Sequence, residues 1–558
     1  MSKEKLIETD VLVIGGGLAG CFAAIKAKEQ GRDVVLVDKG YISRSGESPY
    51  ARVTMVFNPE WGHKMEEWLA QISTIGEYVN NRHWNELVFK DSYARYLDME
   101  SWGVKFLKEK GEPQRIPHPL KGIGMPDEAK FPPLVSEVVH WMPGFLDVIR
   151  KQVVKSGARI MDRLMITELV KHEGRVMGAI GMSIEGNNIV ICKAKATVVC
   201  AGGDGFRPIN YPTHELTGDG HVIAYKAGAT LLGKEFIASS PLGPDYQGWP
   251  PLYSLFTSII PAASAGGRPP FKIFDAEGKE VPPRGMAWHG WIDYEAEQHA
   301  GKAPLHYQDY AGKKHPMLGP GHHGALLGLA TSGIRPVNDY CASEIPGLFA
   351  AGDNLGTCFV GGVYAGFGFG TMYAIATGAR AGIGAAEYVP QAPDVSINHE
   401  LLNLLKERLL APLERKGGFS PRWVTQILQN ILLPYFVLFI KKEDRLKAAL
   451  TNIEFLRDHM VPMLFARDDH ELRLAHETAN MVINAEMKLR ASIFRKESRG
   501  NHFREDYPHR DDSEWLAWVG LQEKNGEMLV SREPIPEAWH PDKSKTYQER
   551  YPVRFPGE

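Results

Sequence analysis

The hydrophobic pattern is most regular near the start of the chain. Residues 11–14 (VLVI) form an apolar run typical of a buried parallel strand, and Val34–Val37 repeats that run after a helical stretch. The glycine loop 15–20 (GGGLAG) joins the first strand to the helix, and Asp38 follows the second strand. Strand, glycine loop, helix, strand and carboxylate in this order predict a Rossmann-type dinucleotide site.

Each residue of this unit has a physical role. Gly15 permits a tight turn off the strand, Gly17 lets a pyrophosphate approach the backbone, and Gly20 lets the helix pack closely. The free N–H groups at the helix N-terminus attract phosphate. Asp38 lies where a carboxylate accepts hydrogen bonds from ribose hydroxyls. An ordinary glycine-rich turn is the alternative, but it would not require Asp38.

The rest of the pattern predicts further elements of an α/β chain. Thr217 or Asp219 can cap the first of two later helices, both rich in small residues. We predict a hairpin over 166–180, a buried strand at 197–201, small-residue helices at 217–229 and 371–386, mostly helical stretches at 59–130 and 400–495, and an irregular tail at 497–558.

Composition narrows the function. The chain has 558 residues, room for roughly two to four domains. Its formal net charge is -3 and it has no basic stripe, which argues against nucleic acid as a partner. The 5 cysteines are scattered without C-x-x-C spacing, so we expect a cytoplasmic protein without disulfides and with no metal site. The polar start is unlike a signal peptide.

The most apolar stretch is 431–440 (ILLPYFVLFI), which is too short to cross a bilayer and contains Pro434. We predict that it is a core helix or a subunit contact. Contact with a membrane surface is the alternative, because Lys441 and Lys442 follow it.

Four separated segments resemble the flavoprotein subunits of fumarate reductases, succinate dehydrogenases and adenylylsulfate reductases. They are 15–38, 201–229, 346–353 and 497–512. The resemblance implies that the protein binds FAD as its cofactor and has an α/β fold of several parts. These parts are a Rossmann-like FAD-binding domain (1–233 and 326–395) interrupted by an α+β capping domain (234–325), a helical domain (396–495) and a C-terminal extension (496–558).

The resemblance also indicates how FAD is held. Succinate dehydrogenases carry Arg-Ser-His with the histidine bonded to the flavin, whereas this chain has Arg44, Ser45 and Gly46, so we expect non-covalent FAD. Asp353 is expected to bind a ribityl hydroxyl, and the helix from Thr371 to stabilise the reduced ring. The expected FAD contacts are Gly15, Gly17, Ala19, Gly20, Asp38, Lys39, Arg44, Ser45, Gly46, Ile166, Ala201, Gly202, Asp219, Asp353, Phe369 and Gly370.

Departures from the family bear on the substrate. Dicarboxylate enzymes have an arginine where Tyr364 stands, and they have two histidines that the matching stretches here, ending at Ser239 and beginning at Ser332, do not contain. Without these groups, succinate or fumarate is a poor fit. The run 364–368 (YAGFG) is instead similar to the Tyr-x-Gly-x-Gly of ketosteroid dehydrogenases, where tyrosine polarises a carbonyl. The substrate-side candidates are Tyr364, His322, His323, Arg268, Arg284 and Arg499.

Each substrate-side candidate has a structural alternative. Tyr364 could be a buried aromatic beside the flavin, and His322 and His323 could lie in a surface loop. An arginine of the capping domain donates the proton in fumarate reductases, which makes Arg268 and Arg284 candidates for that role, although a surface position suits either one. Arg499 could form an ion pair between domains.

We therefore expect an FAD-dependent oxidoreductase that moves hydride across a C–C bond next to a carbonyl. It would act on a small molecule and exchange electrons with a separate iron–sulfur or other redox subunit, in a complex that could touch a membrane surface. Two alternatives stay open. One is an adenylylsulfate-reductase-like enzyme acting at sulfur, and the other is a flavin subunit that only transfers electrons within a larger complex.

Overall fold

The computed structural model describes residues 3–117, 135–186, 188–207, 215–237, 272–281, 297–308, 312–316, 328, 330–364, 368–394 and 397–558. Its strands are β1 (Lys3–Ile14), β2 (Val34–Val37), β3 (Val53–Met55), β4 (Lys108–Glu109), β5 (Glu112–Pro113), β6 (Arg115–Pro117), β7 (Glu137–His140), β8 (Arg159–Met161), β9 (Leu164–His172), β10 (Arg175–Ser183), β11 (Asn188–Val199), β12 (Leu231–Leu232), β13 (Lys272–Phe274), β14 (His306–Gln308), β15 (Lys314–Pro316), β16 (Gly333–Ile334), β17 (Leu348–Ala350), β18 (Ile440–Lys441), β19 (Phe503–Arg504), β20 (Ala517–Lys524) and β21 (Glu527–Pro534).

The helices of the same described segments are α1 (Leu18–Glu29), α2 (Met65–Ile75), α3 (Arg82–Trp102), α4 (Phe145–Lys155), α5 (Asp219–Lys226), α6 (Phe369–Tyr388), α7 (His399–Glu414), α8 (Pro421–Leu432), α9 (Tyr435–Leu438), α10 (Glu443–Phe455), α11 (Asp469–Phe494), α12 (Asp512–Trp515) and α13 (Tyr547–Arg550). Together with the strands they make the mixed α/β architecture that the sequence predicts.

A seven-stranded sheet organises the first part of the chain. Its order is β8-β2-β1-β11-β10-β9, and β17 also pairs with β11. Strands β8, β2, β1, β11 and β17 are parallel, whereas β9 and β10 form the predicted antiparallel hairpin. Strand β1 begins at Lys3, well before the apolar run, because its polar first half pairs with β11 from Asn188 onward.

Four of these parallel strands end level with one another. Ile14 of β1 is opposite both Val37 of β2 and Val199 of β11, and Val199 is opposite Ala350 of β17. The segments after them therefore meet at one edge of the sheet. Ligands of open parallel sheets bind beyond the carboxyl ends of the strands. This edge is where the sequence places the dinucleotide.

Helix α6 packs against α1 through small residues. A Cβ at Gly378 would lie 2.3 Å from the carbonyl oxygen of Ala19, and one at Gly382 would lie 2.3 Å from that of Ala23. Only glycine allows the two backbones to come so close. The glycines of the predicted small-residue helix therefore allow this close helix contact.

The helices α7 to α11 follow the sheet, and the apolar stretch 431–440 lies among them. Leu432, Leu438 and Ile440 are fully or almost fully buried, and only Phe436 in this stretch is exposed, at 39%. Lys441, directly after it, is buried as well. The stretch is therefore core, and its side chains do not form a membrane-facing surface. Within the described residues, no helix has the length and hydropathy needed to cross a bilayer.

The tail is not irregular, contrary to the sequence prediction. Strands β20 and β21 form an antiparallel hairpin, and β20 also pairs with β12, which in turn pairs with β16. The arginines of the charged run before the hairpin, Arg499, Arg504 and Arg510, are buried. They are paired with acids, and the partner of Arg510, Glu77, is distant in the sequence.

Much of the predicted capping domain lies outside the described residues, as do Arg268, Arg284, His322 and His323. In its described pieces, β13, β14 and β15 form a small antiparallel sheet. The proposed division of the chain into domains stays a prediction.

Candidate active site

The glycine loop has the geometry of a phosphate cradle. A Cβ at Gly15 would lie 2.2 Å from the Cys200 carbonyl oxygen, and one at Gly20 would lie 1.8 Å from the Gly15 carbonyl oxygen, so both positions exclude a side chain. A Cβ at Gly17 would meet only Ser48 Oγ, at 3.2 Å. Gly15 and Gly20 thus serve close packing, while Gly17 leaves its backbone approachable at the start of α1.

Asp38 is fixed at the same edge. Its carboxylate accepts a hydrogen bond from the Gly16 N–H at 2.7 Å and another from the Gly40 N–H at 2.6 Å. Burial raises the pKa of Asp38, and the two N–H donors oppose that shift. Each carboxylate oxygen keeps a second lone pair, which a ribose hydroxyl can use. This fits the role predicted for Asp38.

Lys39 and Asp219 are bonded to protein groups. Lys39 Nζ lies 2.7 Å from Asp219 Oδ2 and 3.0 Å from Glu477 Oε1. Asp219 Oδ1 also accepts from Asn480 Nδ2 at 2.8 Å. These contacts tie α5 to α11, and a side-chain contact of Asp219 with FAD would have to displace one of them. The cap of α5 is Gly218, with a left-handed backbone, and neither Thr217 nor Asp219 caps it as predicted.

The three FAD contacts predicted in the loop after β2 lie in different surroundings. Arg44 points outward to Asp147, at 3.4 Å, and lines a surface groove of about 500 Å³ on α4. Ser45 Oγ accepts from the Tyr41 N–H at 2.8 Å. Gly46 has φ +73°, and a Cβ there would meet only Leu216, at 3.8 Å. The space beside Gly46 suits a close ligand, whereas Arg44 faces away from the strand ends.

Glu47, which sequence reasoning missed, joins Asp353 and Tyr364 at this edge. Burial raises the pKa of the Tyr364 phenol, the Gly370 N–H opposes that rise, and the nearby carboxyls of Asp353 and Glu47 add to it. Tyr364 Oη accepts from the Gly370 N–H at 3.2 Å, in the first turn of α6. Its position next to Gly46, in the loop predicted to contact the cofactor, could have identified Glu47 from the sequence.

A buried, hydrogen-bonded series of side chains runs from Asp204 through Lys234 and His221 to the backbone of Asp353. Lys234 Nζ lies 2.5 Å from Asp204 Oδ2 and 3.0 Å from His221 Nδ1. Because an ammonium can only donate, Nδ1 is the acceptor, so His221 Nε2 carries the proton and donates to the Asp353 carbonyl at 2.8 Å. Burial, followed by the nearby Lys234, lowers the pKa of His221 to about 3. His221 is therefore neutral and holds the Asp353 backbone.

The remaining predicted contacts lie around the same edge. Asn354, another residue that the sequence did not single out, accepts from the Ala201 N–H and donates to the Gly202 carbonyl at 3.0 Å. Ala19 touches Gly352, whose Cβ would lie 3.0 Å away. Ile166 is in β9, and Phe369 begins α6 and is buried.

Arg499 does not have the geometry of a substrate ligand. Its guanidinium is fully buried, and all five of its N–H groups are used. The acceptors are Glu497 Oε1 and Oε2, the Glu77 carbonyl, Tyr551 Oη and Asp512 Oδ1, all at 2.8–2.9 Å. No donor remains for a substrate, so the catalytic role expected for Arg499 is not supported, and the ion-pair alternative describes it.

Taken together, these residues fit FAD. Helix α1 begins with an approachable glycine, Asp38 offers lone pairs to a ribose, and Glu47 and Asp353 offer acceptors to a polyhydroxyl chain. The first turn of α6 adds backbone N–H groups beside Tyr364. Gly46 has no side chain with which to form a covalent bond to the cofactor.

Comparisons with known proteins also indicate FAD. A model of the FAD binding domain matches residues 10–248, and a model of the fumarate reductase flavoprotein C-terminal region matches residues 426–547. One of the subunits of the fumarate reductase (CoM/CoB) of Methanothermobacter marburgensis is 25% identical, with 95% of this chain and 100% of the relative covered. The chain therefore contains an FAD binding domain and the C-terminal region found in fumarate reductase flavoproteins.

Other similar proteins extend the match. An uncharacterized FAD-dependent oxidoreductase of Methanocaldococcus jannaschii is 27% identical over 93% of this chain and 97% of its own length. A variant of FrdA from the E. coli quinol fumarate reductase shares the fold with a TM-score of 0.78 at 16% identity, covering 95% of this chain and 97% of that one. The flavoprotein therefore binds FAD and is an FAD-dependent oxidoreductase, as the sequence predicted.

Proposed function

We propose that this flavoprotein moves hydride across a C–C bond adjacent to a carbonyl group of a small molecule. The observation that carries the proposal is Tyr364, whose phenol contacts the first turn of α6 and lies near the carboxyls of Asp353 and Glu47. Bound FAD supplies the hydride chemistry. The protein supplies the donor that polarises the carbonyl.

The phenol of Tyr364 is suited to donate a hydrogen bond to an uncharged carbonyl oxygen. Burial raises its pKa well above the ordinary value, and the neighbouring carboxyls raise it further, so it stays protonated near neutral pH. Its oxygen accepts from the Gly370 N–H, which makes the O–H a better donor. A protonated phenol can donate to a carbonyl oxygen as charge develops there. A substrate carboxylate would instead need a cationic partner, and the guanidinium of Arg499 has no free donor for it.

We further propose that the flavoprotein exchanges electrons with a separate redox subunit that carries an iron–sulfur cluster. Two features support this. The M. marburgensis relative is named as one subunit of its enzyme. All five cysteines of this chain are buried and scattered, without the spacing of a cluster site. Purification from the native source should then yield a second, cluster-bearing chain with this one.

Substitution of Tyr364 by phenylalanine tests the assignment. We expect turnover of an α,β-unsaturated ketone or thioester to fall by roughly 10²-fold or more, because removal of one oxyanion donor costs about that factor. FAD content should be unchanged. The measurement is the rate at which the substrate reoxidises dithionite-reduced enzyme.

Tyr373→Phe is the matched control. Tyr373 lies on α6, which the Tyr364 phenol contacts, but its hydroxyl donates to the Leu355 carbonyl at 2.7 Å, so this variant should keep its turnover. Full turnover in Tyr364→Phe would remove Tyr364 from the mechanism. Flavin bleaching by sulfite with AMP, and none by unsaturated carbonyl compounds, would favour an enzyme acting at sulfur.

A further inference from the structure

Two ammonium groups and one carboxylate meet in a buried cluster behind the strand ends. Asp204 Oδ2 lies 2.5 Å from Lys234 Nζ and 3.0 Å from Lys488 Nζ. The three side chains are completely buried, as is His221, whose ring lies beside Lys234. Asp204 follows β11, His221 is in α5, Lys234 follows β12 and Lys488 is in α11. The cluster therefore forms only when these separate elements pack together.

The cluster carries one positive charge more than its carboxylate balances. In the described part of the chain, the ion pairs of both lysines are with Asp204 alone. His221 adds no charge, because its Nδ1 accepts from Lys234, and the third contact of Lys234 is the neutral Asn484 Oδ1 at 3.1 Å. Lys488 Nζ has no hydrogen-bond partner among the described residues, so its contact with Asp204 is purely electrostatic.

The positive charge is present at neutral pH. Burial lowers the pKa of Lys234 to about 8, and Asp204 opposes that shift, so Lys234 is mainly protonated at pH 7. Burial by itself would raise the pKa of Asp204, but Lys234, Lys488 and His221 together hold it well below its ordinary value. Asp204 is therefore ionised, and it offsets only one of the two ammoniums.

The cluster borders the cofactor edge of the sheet. His221, which accepts from Lys234, donates through Nε2 to the carbonyl of Asp353 at 2.8 Å. Asp204 lies two residues after Gly202 in the chain. Asp353 and Gly202 are both expected FAD contacts. A charge at this position acts on the edge through buried protein, which weakens an electrostatic interaction less than water does.

A buried charge without a full partner destabilises the folded state. Reduction of the bound cofactor would supply the missing negative charge. FAD takes up a hydride, which is two electrons and one proton, so the ring gains one negative charge.

We propose that Lys234 and Lys488, held together by Asp204, are a buried counter-charge for reduced FAD and raise the reduction potential of the bound cofactor. The lysines transfer no atom and form no bond to the cofactor. Their charge is fixed before reduction begins, so it stabilises the reduced ring without any rearrangement of the protein. The oxidised ring is uncharged and gains much less from the same lysines.

Redox titration of the full-length, FAD-bound protein tests the counter-charge. The potential of bound FAD is measured at pH 7 with dithionite and an indicator dye, and is compared with the potential of free FAD. We expect the wild type to bind reduced FAD about tenfold more tightly than oxidised FAD, or better, which raises the two-electron potential by about 30 mV or more.

Lys488→Gln removes the unbalanced charge. The amide can still donate to Asp204, so the cluster keeps a hydrogen bond but loses its net charge. We expect the potential to fall below that of the wild type by a similar amount, about 30 mV for a tenfold change in relative affinity. The affinity for oxidised FAD is measured in parallel. A role in folding alone would weaken the binding of oxidised and reduced FAD equally and leave the potential unchanged.

Lys447→Gln is the control. It removes the same charge from an exposed lysine of α10, where water and salt screen the charge, so the potential should not change.

Two results would contradict the counter-charge. One is a wild type in which bound FAD is no easier to reduce than free FAD, and this measurement needs no variant that might misfold. The other is a folded Lys488→Gln protein with the wild-type potential. Neither titration uses a substrate, so its outcome is independent of the role proposed for Tyr364.

Discussion

At the scale of single residues, the site depends on groups whose charge is set by burial. His221 is fully buried between Lys234 and the Asp353 carbonyl, so it stays neutral. Tyr364 stays protonated for a related reason, because both burial and nearby acids oppose its ionisation. The sequence could single out Asp353 and Tyr364 from their motifs. It could not single out His221, because the hydrogen bond of its ring to the Asp353 carbonyl joins residues that are distant in the sequence.

The lowered pKa of His221 predicts a pH-dependent stability. Its pKa is about 3 in the folded protein and 6.5 ordinarily, so between these values the unfolded chain binds more protons. This contribution is complete above about pH 6.5 and is lost as the pH falls toward about 3, by roughly 4–5 kcal/mol at most. His221→Gln should flatten the decline in melting temperature between about pH 7 and pH 4.

The exposed His459 provides the control for that measurement. His459→Gln should follow the wild-type curve. The same decline in His221→Gln as in the wild type would show that protonation of His221 does not drive the acid sensitivity.

At the scale of elements, glycines decide how closely α1 and α6 approach. The sequence predicted both helices because a glycine-dense segment preceded a run of small residues, and this pattern is local. The buried tail was predicted wrongly because its arginines look like a solvated charge run. Arg510, for example, is buried against Glu77, and pairing across such a sequence distance leaves no local pattern.

Gly378→Ala tests the helix contact. The new Cβ would lie 2.3 Å from the Ala19 carbonyl oxygen, so α6 must move away from α1. We expect a loss of about 1–3 kcal/mol in stability and weaker FAD binding, because both helices begin at the cofactor edge. Thermal unfolding and FAD titration would measure the two effects.

Gly417→Ala is the matched control, since a Cβ at Gly417 has no atom within 4 Å. It should change neither quantity by much. Wild-type stability in Gly378→Ala would mean that the helices are not in such close contact.

At the scale of the whole molecule, the C-terminal segment is bound to the N-terminal part of the chain by buried ion pairs. Arg499 and Arg510 contact Glu77, through its carbonyl and its carboxylate respectively. Gly500 also packs on Gly362, with a Cβ that would lie 2.3 Å from its carbonyl oxygen. The family resemblance included segment 497–512, but it did not show that this segment packs against the glycine-rich stretch around Gly362 and supports it.

Arg499→Met should therefore destabilise the protein by about 3–5 kcal/mol, since Glu497 and Asp512 lose a buried partner. The surviving folded, FAD-bound molecules should turn over at close to the wild-type rate. Melting temperature and turnover per bound flavin separate the two effects.

Arg532→Met is the comparison, because the ion pair of Arg532 with Glu514 is exposed and should contribute at most about 1 kcal/mol. A stable but inactive Arg499→Met protein would restore the catalytic assignment that the geometry opposes.

The level ends of β1, β2, β11 and β17 have a consequence for biosynthesis. The last of these strands closes at Ala350, and α6 follows it at Phe369. During synthesis, a growing chain that has already made its glycine loop still lacks β17 and α6, which complete the edge where the sequence predicts the cofactor. We therefore expect the chain to bind FAD only after Phe369 and the helix that it begins have left the ribosome. An N-terminal fragment that stops before β17 is expected to purify without flavin, which its absorption spectrum would show.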